Sequence, residues 1–276
     1  MSNNIWNCGD NKPWWEENGF DCSAEARAPG FCRVYSETLP DVIGLQESSP
    51  KVLDNLMQCL EATSLPYAML WGRFTSIIYR TDKLELIDSE HHINPDNIDG
   101  FEGVFNDKRS KSYCMALFRT KEDGKKLIFA TTHLWWKSSD PSRKSYQPHS
   151  DEARERQLSS LIDRVDEFRK KYDCPAVVVG DLNTKRSSTA IKTAIEREYI
   201  HAYDLATEHR DERDGYHYCF PDGFDRYEAP KSADHAIDHA LVAGAPNGFV
   251  RTFERFTPDY YMPLSDHFPL YIDVEL

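Results

Sequence analysis

The sequence lacks the features that mark membrane-spanning, exported and disordered chains. No apolar run approaches the ~20 residues of a membrane-spanning helix, and Met1-Ser2-Asn3-Asn4 does not begin a basic and then apolar leader. No internal repeat, low-complexity tract or linker divides the 276 residues. We therefore expect a single domain over residues 1–276, cytoplasmic and without membrane insertion; the alternative location is outside the cell, after removal of a leader.

Cysteines are few, and their spacing is typical of neither a metal site nor a disulfide framework. There are seven, with no Cys-x-x-Cys pair, and Cys59, Cys114 and Cys174 have apolar neighbours in the sequence. This pattern favours reduced, buried thiols. Cys22 and Cys32, which we expect on one loop, are the candidate pair if the protein is exported.

Positive charge is also scarce. The chain has 33 lysines and arginines against 46 acidic residues, which gives a net charge of −13 and a pI near 5.2. A protein that grips phosphate backbones non-specifically is usually basic, so long duplex DNA is a disfavoured substrate. The excess of carboxylates leaves several available to hold a divalent cation.

Short β-branched or aromatic runs predict strands over the whole length of the chain. They cover residues 41–46, 76–80, 112–118, 126–132, 176–180, 237–242 and 269–275. Helices are predicted to begin at Ser49-Pro50, Ser150 and Ser188, each followed by an apolar stripe of helical spacing. This alternation predicts an α/β fold.

Two segments interrupt the predicted scaffold. Residues 8–32 are rich in tryptophan, glycine and proline, and residues 137–149 are rich in serine and basic residues. Both follow candidate strands, so we expect two loops that wall one binding pocket. The alternative for a tryptophan-rich loop is packing over an exposed sheet edge.

Polar residues follow or precede several of the predicted strands. They are Glu47, His133, Asp181 with Asn183, and the pair Asp266-His267. Each of them has an ordinary structural explanation when it is taken alone. Together they combine acid, amide and imidazole groups, which suits a site that holds a hard cation and hydrolyses a phosphoester.

The ordered motifs resemble those of the endonuclease/exonuclease/phosphatase superfamily of metal-dependent phosphoesterases. The matching segments are Ser2-Asn3-Asn4-Ile5-Trp6-Asn7, Asp41-Val-Ile-Gly-Leu-Gln46-Glu47, Thr131-Thr-His133-Leu134, Val179-Gly-Asp181-Leu-Asn183-Thr184, Ile237-Asp238-His239-Ala-Leu-Val242 and Ser265-Asp266-His267-Phe-Pro269. The resemblance implies a four-layer α/β/β/α sandwich of two packed mixed β-sheets between helices. It places the active site at one end of the sandwich.

The resemblance also implies a metal site for Mg²⁺ or Mn²⁺. Glu47 is the expected principal ligand, and Asn4 and Asp266 would complete or orient the site. Asn3 and Asn7 are alternatives to Asn4, because they stand in the same short segment.

The catalytic roles implied by the resemblance fall on five further residues. Asp181 would activate the attacking water, and Asn183 would position the water and the phosphate. His133 would donate to a phosphate oxygen. His267 would form a dyad with Asp238 that favours the imidazolium form.

Substrate contacts are expected from the second loop and the residue before it. The candidates are Trp136, Arg143, Lys144 and Tyr146. We expect a small phosphoester or a nucleic-acid end as the substrate, and the sequence leaves diester and monoester open. A nuclease for single strands is the nearest alternative, and a binding protein without catalysis is another. The oligomeric state is also open, and a monomer is assumed.

A zinc site at His235-x-x-x-His239 is the rival interpretation in one region. The run that ends at Val242 has the pattern of a strand, on which positions four apart lie far along the same face. An ordinary shared metal site is therefore disfavoured.

Overall fold

The computed structural model describes residues 1–210 and 236–276, and strands and helices alternate through both parts. The strands are β1 (Ser2–Asn4), β2 (Val42–Gln46), β3 (Tyr67–Leu70), β4 (Ile77–Arg80), β5 (Leu84–Ile93), β6 (Ser112–Thr120), β7 (Lys126–His133), β8 (Ala176–Asp181), β9 (Ile200–His201), β10 (Glu208–His209), β11 (Asp238–Ala243), β12 (Val250–Arg255) and β13 (Leu270–Val274). The helices are α1 (Pro13–Glu17), α2 (Ala24–Thr38), α3 (Pro50–Ala62), α4 (Ser150–Tyr172), α5 (Thr189–Glu196) and α6 (Ala202–Leu205). A short 3₁₀ helix covers Asp259–Tyr261.

These strands form two mixed sheets. The first has the order β10-β12-β13-β1-β2-β4-β3, and the second has the order β5-β6-β7-β8-β11-β9. Parallel pairs join β1 to β2, β10 to β12 and β7 to β8, and the other pairs are antiparallel.

Three layers of buried apolar side chains hold the sheets and helices together. Helices α2 and α3 pack on the first sheet, as Phe31 and Leu53 against Ile43 show. Helices α4 and α5 pack on the second sheet. A third cluster, which includes Phe118 and Phe253, fills the space between the sheets. The predicted four-layer α/β/β/α sandwich is confirmed.

The predicted helix starts follow from local chemistry. Pro50 occupies the first turn of α3, where a missing N–H costs nothing, and Ser49 before it is extended. The Ser188 hydroxyl accepts a hydrogen bond from the Ile191 N–H at the start of α5. Ser150 is the first residue of α4 and donates its hydroxyl to the Gln147 carbonyl.

The expectation of a loop over residues 8–32 is wrong for residues 13–17, which form α1, and for residues 24–32, which belong to α2. From Ala24 onward the chain is α2, whose buried face packs beside α3. Pro29 and Gly30 gave this stretch the composition of a loop. Gly30 is instead needed for packing, because a Cβ there would lie 2.4 Å from a methyl carbon of Leu264.

The pairing of Cys22 with Cys32, which was a candidate only for an exported protein, does not match the structure. The Cys22 sulfur lies 3.7 Å from that of Cys8, and both are buried. Cys32 belongs to α2, where its thiol interacts with Cys59 of α3.

Two further sequence interpretations concern membranes and zinc. None of the helices in the described ranges is long and apolar enough to cross a membrane. His235 of the alternative zinc pair lies outside the described residues.

Candidate active site

The ends of three neighbouring strands of the second sheet place an imidazole and two carboxylates side by side. His133 ends β7 and pairs in register with Asp181, which ends the parallel strand β8. Asp238 begins the antiparallel strand β11 and pairs with Asp181 from the other side. Residues in register point to the same face of a sheet, so these three side chains converge.

The ends of the first sheet lie against the same point. Asn4 ends β1, opposite Gln46 at the end of the parallel strand β2, and Glu47 follows directly. The Gln46 carboxamide donates a 2.7 Å hydrogen bond to the Thr131 hydroxyl of the other sheet. Gly44 permits this approach, because a Cβ there would lie 2.6 Å from the Thr131 Cβ.

Glu47 is held in an unusual backbone conformation. Its φ is +57°, a region that residues other than glycine rarely adopt. The Asn7 backbone N–H donates to Glu47 Oε2 at 2.9 Å, and Asn4 Nδ2 lies 3.4 Å from Oε1. The strained turn thus fixes the carboxylate at the end of the strand.

Asn4 lies between two carboxylates. Its Nδ2 is also 3.1 Å from Asp181 Oδ2, while its Oδ1 accepts the Trp6 N–H at 3.1 Å. This pattern directs the amide N–H groups towards Glu47 and Asp181. Asn4 therefore orients both acids in this arrangement, and ligation of a metal through Oδ1 would require its carboxamide to turn over.

His267 and Asp238 form the expected pair. His267 Nδ1 lies 2.7 Å from Asp238 Oδ2, and both side chains are buried. Burial alone would lower the pKa of His267, but the carboxylates of Asp238, Asp266 and Asp181 together raise it well above its ordinary value. The ring is therefore held as an imidazolium.

Asp181 is the buried acid at the centre of the cluster. Its Oδ2 lies 3.4 Å from His133 Nε2 and 3.8 Å from His267 Nε2. Burial raises the pKa of Asp181 to about 7, and His267 opposes that shift. The Asn183 N–H donates to Asp181 Oδ1 at 2.9 Å, and its side chain donates to the Leu134 carbonyl.

Lys111 is a site residue that sequence reasoning missed. It stands directly before β6, is buried, and places Nζ 2.8 Å from His133 Nε2. Burial lowers the pKa of Lys111, against the attraction of Glu47, Asp181 and Asp107. Burial, Lys111 and His267 lower the pKa of His133 well below its ordinary value, so this ring is neutral. A lysine at the head of an apolar strand is the only signal that the sequence offered.

One cavity of about 380 Å³ contains most of these groups. Its lining residues are Asn7, Glu47, Phe74, Asp107, Lys108, Ser110, Lys111, His133, Trp136, Asp181, Asn183, Asp266 and His267. The indole N–H of Trp136 donates to Asp107 Oδ2 at 3.0 Å. The outer wall is thus built by the segment before β6 together with Trp136.

The other predicted substrate residues lie outside this lining. The second loop exposes Arg143, Lys144 and Tyr146. Their contact with substrate stays a prediction, and it requires a ligand long enough to extend beyond the cavity. The expectation that both loops wall the cavity is wrong in the described structure. Trp15 is buried in a small cluster with Cys8 and Cys22.

The second loop is fastened away from the cavity. Arg154, which is buried, donates to the carbonyls of Trp135 and Lys137. Gln147 donates to the Val104 carbonyl at 3.1 Å. These contacts tie the loop to α4 and to the segment between β5 and β6.

Two groups of side chains among the described residues offer ligands for a divalent cation. Glu47 and Asp266 contribute carboxylates to the cavity. Asp181, Asp238 and His267 place one ligand atom each within 4.8 Å of one another. Carboxylate oxygens suit Mg²⁺ and Mn²⁺.

The protein is a two-sheet α/β sandwich, and a cavity lined by acids and imidazoles lies at one end of it. This combination defines the phosphoesterase fold. The chain belongs to the endonuclease/exonuclease/phosphatase family, whose sequence profile matches residues 4–267. A search of curated proteins finds no match.

Solved structures of similar fold cover nearly the whole chain. A mannosyl-6-phosphatase of Bacteroides thetaiotaomicron is 17% identical over 100% of this chain and 98% of its own, with a TM-score of 0.74. An endonuclease/exonuclease/phosphatase of Bacteroides vulgatus is 24% identical over 99% and 97%, with a TM-score of 0.72. TDP2 of D. rerio, complexed with a single-strand DNA product, is 19% identical over 89% and 90%, with a TM-score of 0.60.

Proposed function

We propose that the protein hydrolyses a small phosphoester with the help of Mg²⁺ or Mn²⁺. The observation that carries this proposal is the buried Asp181, which lies between His133 and the His267–Asp238 pair in one cavity with Glu47 and Asp266. An acid, a charged imidazole and hard-cation ligands are the groups that water attack on a phosphoester requires.

Asp181 is the group that takes the proton from the attacking water. Its pKa of about 7 lies near the pH at which a general base works best. Asn183 holds Oδ1 of this carboxylate through its backbone N–H, which leaves Oδ2 directed at the imidazoles. Water adds to phosphorus as the ester P–O bond breaks, its proton passes to Asp181, and the leaving alkoxide takes up a proton from solvent to give the alcohol.

His267 and Lys111 supply the hydrogen-bond donors for the phosphate. The Asp238 carboxylate fixes Nδ1 of His267, so Nε2–H is directed into the cavity. In its ammonium form Lys111 can only donate, and His133 Nε2 then accepts from it. We therefore assign contact with a phosphate oxygen to Lys111 and the orientation of its amine to His133.

We assign the metal position to Glu47 and Asp266. The alternative cluster is already engaged, because Asp238 binds His267 and a protonated imidazole cannot ligate a cation. When bound at Glu47, the cation would neutralise charge on the phosphate oxygens and thereby favour attack by water.

The outer wall of the cavity suits the organic part of a small substrate. Trp136 has 43% of its surface exposed and is fixed by its hydrogen bond to Asp107. An indole face can stack on a sugar or base, and a carboxylate beside it can accept a hydrogen bond from a hydroxyl. The net charge of −13 disfavours an extended polyanion, so a phosphorylated sugar or nucleotide is the preferred substrate class.

A single-stranded nucleic-acid end is the second candidate. Its support is the position of Lys108 and Lys111 beside the exposed Trp136, since cations beside an aromatic face are typical of single-strand binding. The fold that this chain shares with the DNA-bound TDP2 is compatible with such a substrate.

The proposed chemistry is tested by hydrolysis of p-nitrophenyl phosphate and bis-p-nitrophenyl phosphate with Mn²⁺. We expect turnover that EDTA abolishes and that returns with added metal. Asp181→Asn should lower kcat by about 10²–10⁴-fold, because it removes the base. Asp54→Asn, an exposed acid on α3, is the matched control and should retain wild-type activity.

Absence of turnover by a folded, metal-supplied protein on both reagents would support the binding-protein alternative. The substrate class is then tested by comparing sugar phosphates, nucleotides and single-stranded oligonucleotides. Higher kcat/KM for the small phosphates supports the preferred class, and higher kcat/KM for oligonucleotides supports the second.

A further inference from the structure

Two buried thiols lie next to the active site and have no part in the proposed chemistry. Cys8 and Cys22 place their sulfurs 3.7 Å apart, within a cluster that includes Trp15 and Trp6. A disulfide needs a sulfur separation of about 2.05 Å, so a movement of roughly 0.8 Å by each sulfur would suffice.

The backbones of both cysteines are already held together. Arg27 Nε donates to the Cys22 carbonyl, and its guanidinium also donates to the Cys8 carbonyl. Asn11 Oδ1 accepts the Cys22 N–H at 2.8 Å. The two ends of the segment between the cysteines are therefore fixed close to each other.

Cys8 stands beside a residue that lines the cavity. Cys8 follows Asn7, whose N–H binds Glu47 Oε2, and its thiol donates to the Asp10 carbonyl. Trp6, two residues before Cys8, has a φ of +52°, and its N–H binds Asn4. A covalent bond at Cys8 would restrain this irregular segment and the carboxylate that it positions.

We propose that Cys8 and Cys22 form an intramolecular disulfide that closes residues 8–22 and fixes the segment beside Glu47. The oxidant is a low-molecular-weight disulfide such as oxidised glutathione. Two thiols lose two protons and two electrons as the sulfur–sulfur bond forms, and the oxidant is reduced to two thiols. One cysteine first forms a mixed disulfide with the oxidant, and the second cysteine then attacks that disulfide and releases the small thiol.

Burial of the two thiols determines the stage of folding at which the disulfide forms. Burial and the neighbouring Cys22 raise the pKa of Cys8 to about 11, so little thiolate is present in the folded protein. Oxidation is therefore expected during folding, when both thiols are still exposed. The alternative pairing of Cys22 with Cys32 is disfavoured, because Cys32 contacts Cys59 across α2 and α3.

Peptide mapping tests the bond directly. The full-length protein is unfolded, refolded in a mixture of reduced and oxidised glutathione, alkylated and cut after glutamate. Cleavage after Glu17 and Glu25 separates Cys8 from Cys22. We expect the two peptides to be joined, with a mass two hydrogens below their sum. Alkylation of both thiols, or linkage of Cys22 to another cysteine, would overturn the proposal.

Thermal unfolding gives a second measurement. Closing a 15-residue loop should raise Tm by about 6–12 °C, so a reductant should lower the Tm of the oxidised protein by that amount. The reductant should have the same effect on Cys174→Ala, which removes a half-buried free thiol elsewhere. Cys8→Ala cannot form the disulfide, so the fall in Tm caused by the reductant should be smaller in this variant by about 6–12 °C. Equal falls in Tm for Cys8→Ala and Cys174→Ala would contradict the proposal.

Discussion

Arg27 is expected to join the segment that follows Asn4 to the segment that precedes Asp266. It is 1% exposed, and its guanidinium donates hydrogen bonds to five backbone carbonyls. These carbonyls belong to Ile5, Trp6, Cys8, Cys22 and Leu264. The segment that follows Asn4 and the segment that precedes Asp266 are thus joined through one side chain.

Arg27→Lys keeps the charge and reduces five N–H donors to three. At least two buried carbonyls then lose their donor, at about 1–3 kcal/mol each. We expect the free energy of unfolding to fall by about 2–6 kcal/mol, a large fraction of the ~5–15 kcal/mol of an ordinary domain. Urea unfolding at neutral pH measures this difference.

Arg33→Lys is the matched control on the same helix. Arg33 is exposed and pairs with Glu37 at 2.8 Å, an interaction expected to contribute less than about 1 kcal/mol. If Arg27→Lys and Arg33→Lys changed the free energy of unfolding equally, the assignment of Arg27 as the joining residue would be refuted.

Two further predictions concern acid stability and substrate contact. Burial lowers the pKa of His239 to about 4, so between pH 6.5 and 4 mainly the unfolded chain binds this proton, and stability decreases as the pH is lowered. His239→Gln should reduce the loss of unfolding free energy between pH 7 and pH 5 by about 2 kcal/mol. The exposed His209→Gln should not, and equal acid sensitivity of both variants would contradict the argument. Trp136→Ala should lower kcat/KM for sugar phosphates or nucleotides by about 5–100-fold, because it removes a stacking face, and should spare methyl phosphate. Trp71→Ala is the control, because Trp71 is 56% exposed and lies outside the cavity lining. If Trp136→Ala lowered kcat/KM for methyl phosphate as much as for the ring-bearing substrates, Trp136 would support the catalytic geometry instead.

Much of the fold and the centre of the site could be predicted, because strand ends are visible in the sequence. An apolar run that stops at Asp181 or His133 marks the end of a strand at one edge of the sheet. Strand pairing then brings such points together, as the register of β7, β8 and β11 shows. The pattern therefore indicates which residues meet, although it does not give their distances.

The rest of the site depends on features that leave no local pattern in the amino-acid sequence. Lys111 and Asp107 belong to an irregular segment that is held by the hydrogen bond from Trp136 to Asp107 and by Gln157 of α4, which donates to the Phe105 carbonyl. Helix α2 was missed because Pro29 and Gly30 interrupt its sequence pattern, although Gly30 is required by contact with Leu264. Long-range packing overrides local propensity in both cases.

The most direct test of the account is the position of Mn²⁺ in crystals of the protein, measured by anomalous scattering. In the proposed mechanism the site has a metal side at Glu47 and a proton-transfer side at Asp181, Asp238 and His267. We predict one strong peak about 2.0–2.2 Å from a carboxylate oxygen of Glu47, with Asp266 close by. A peak enclosed by Asp181, Asp238 and His267, with Glu47 free of metal, would contradict it.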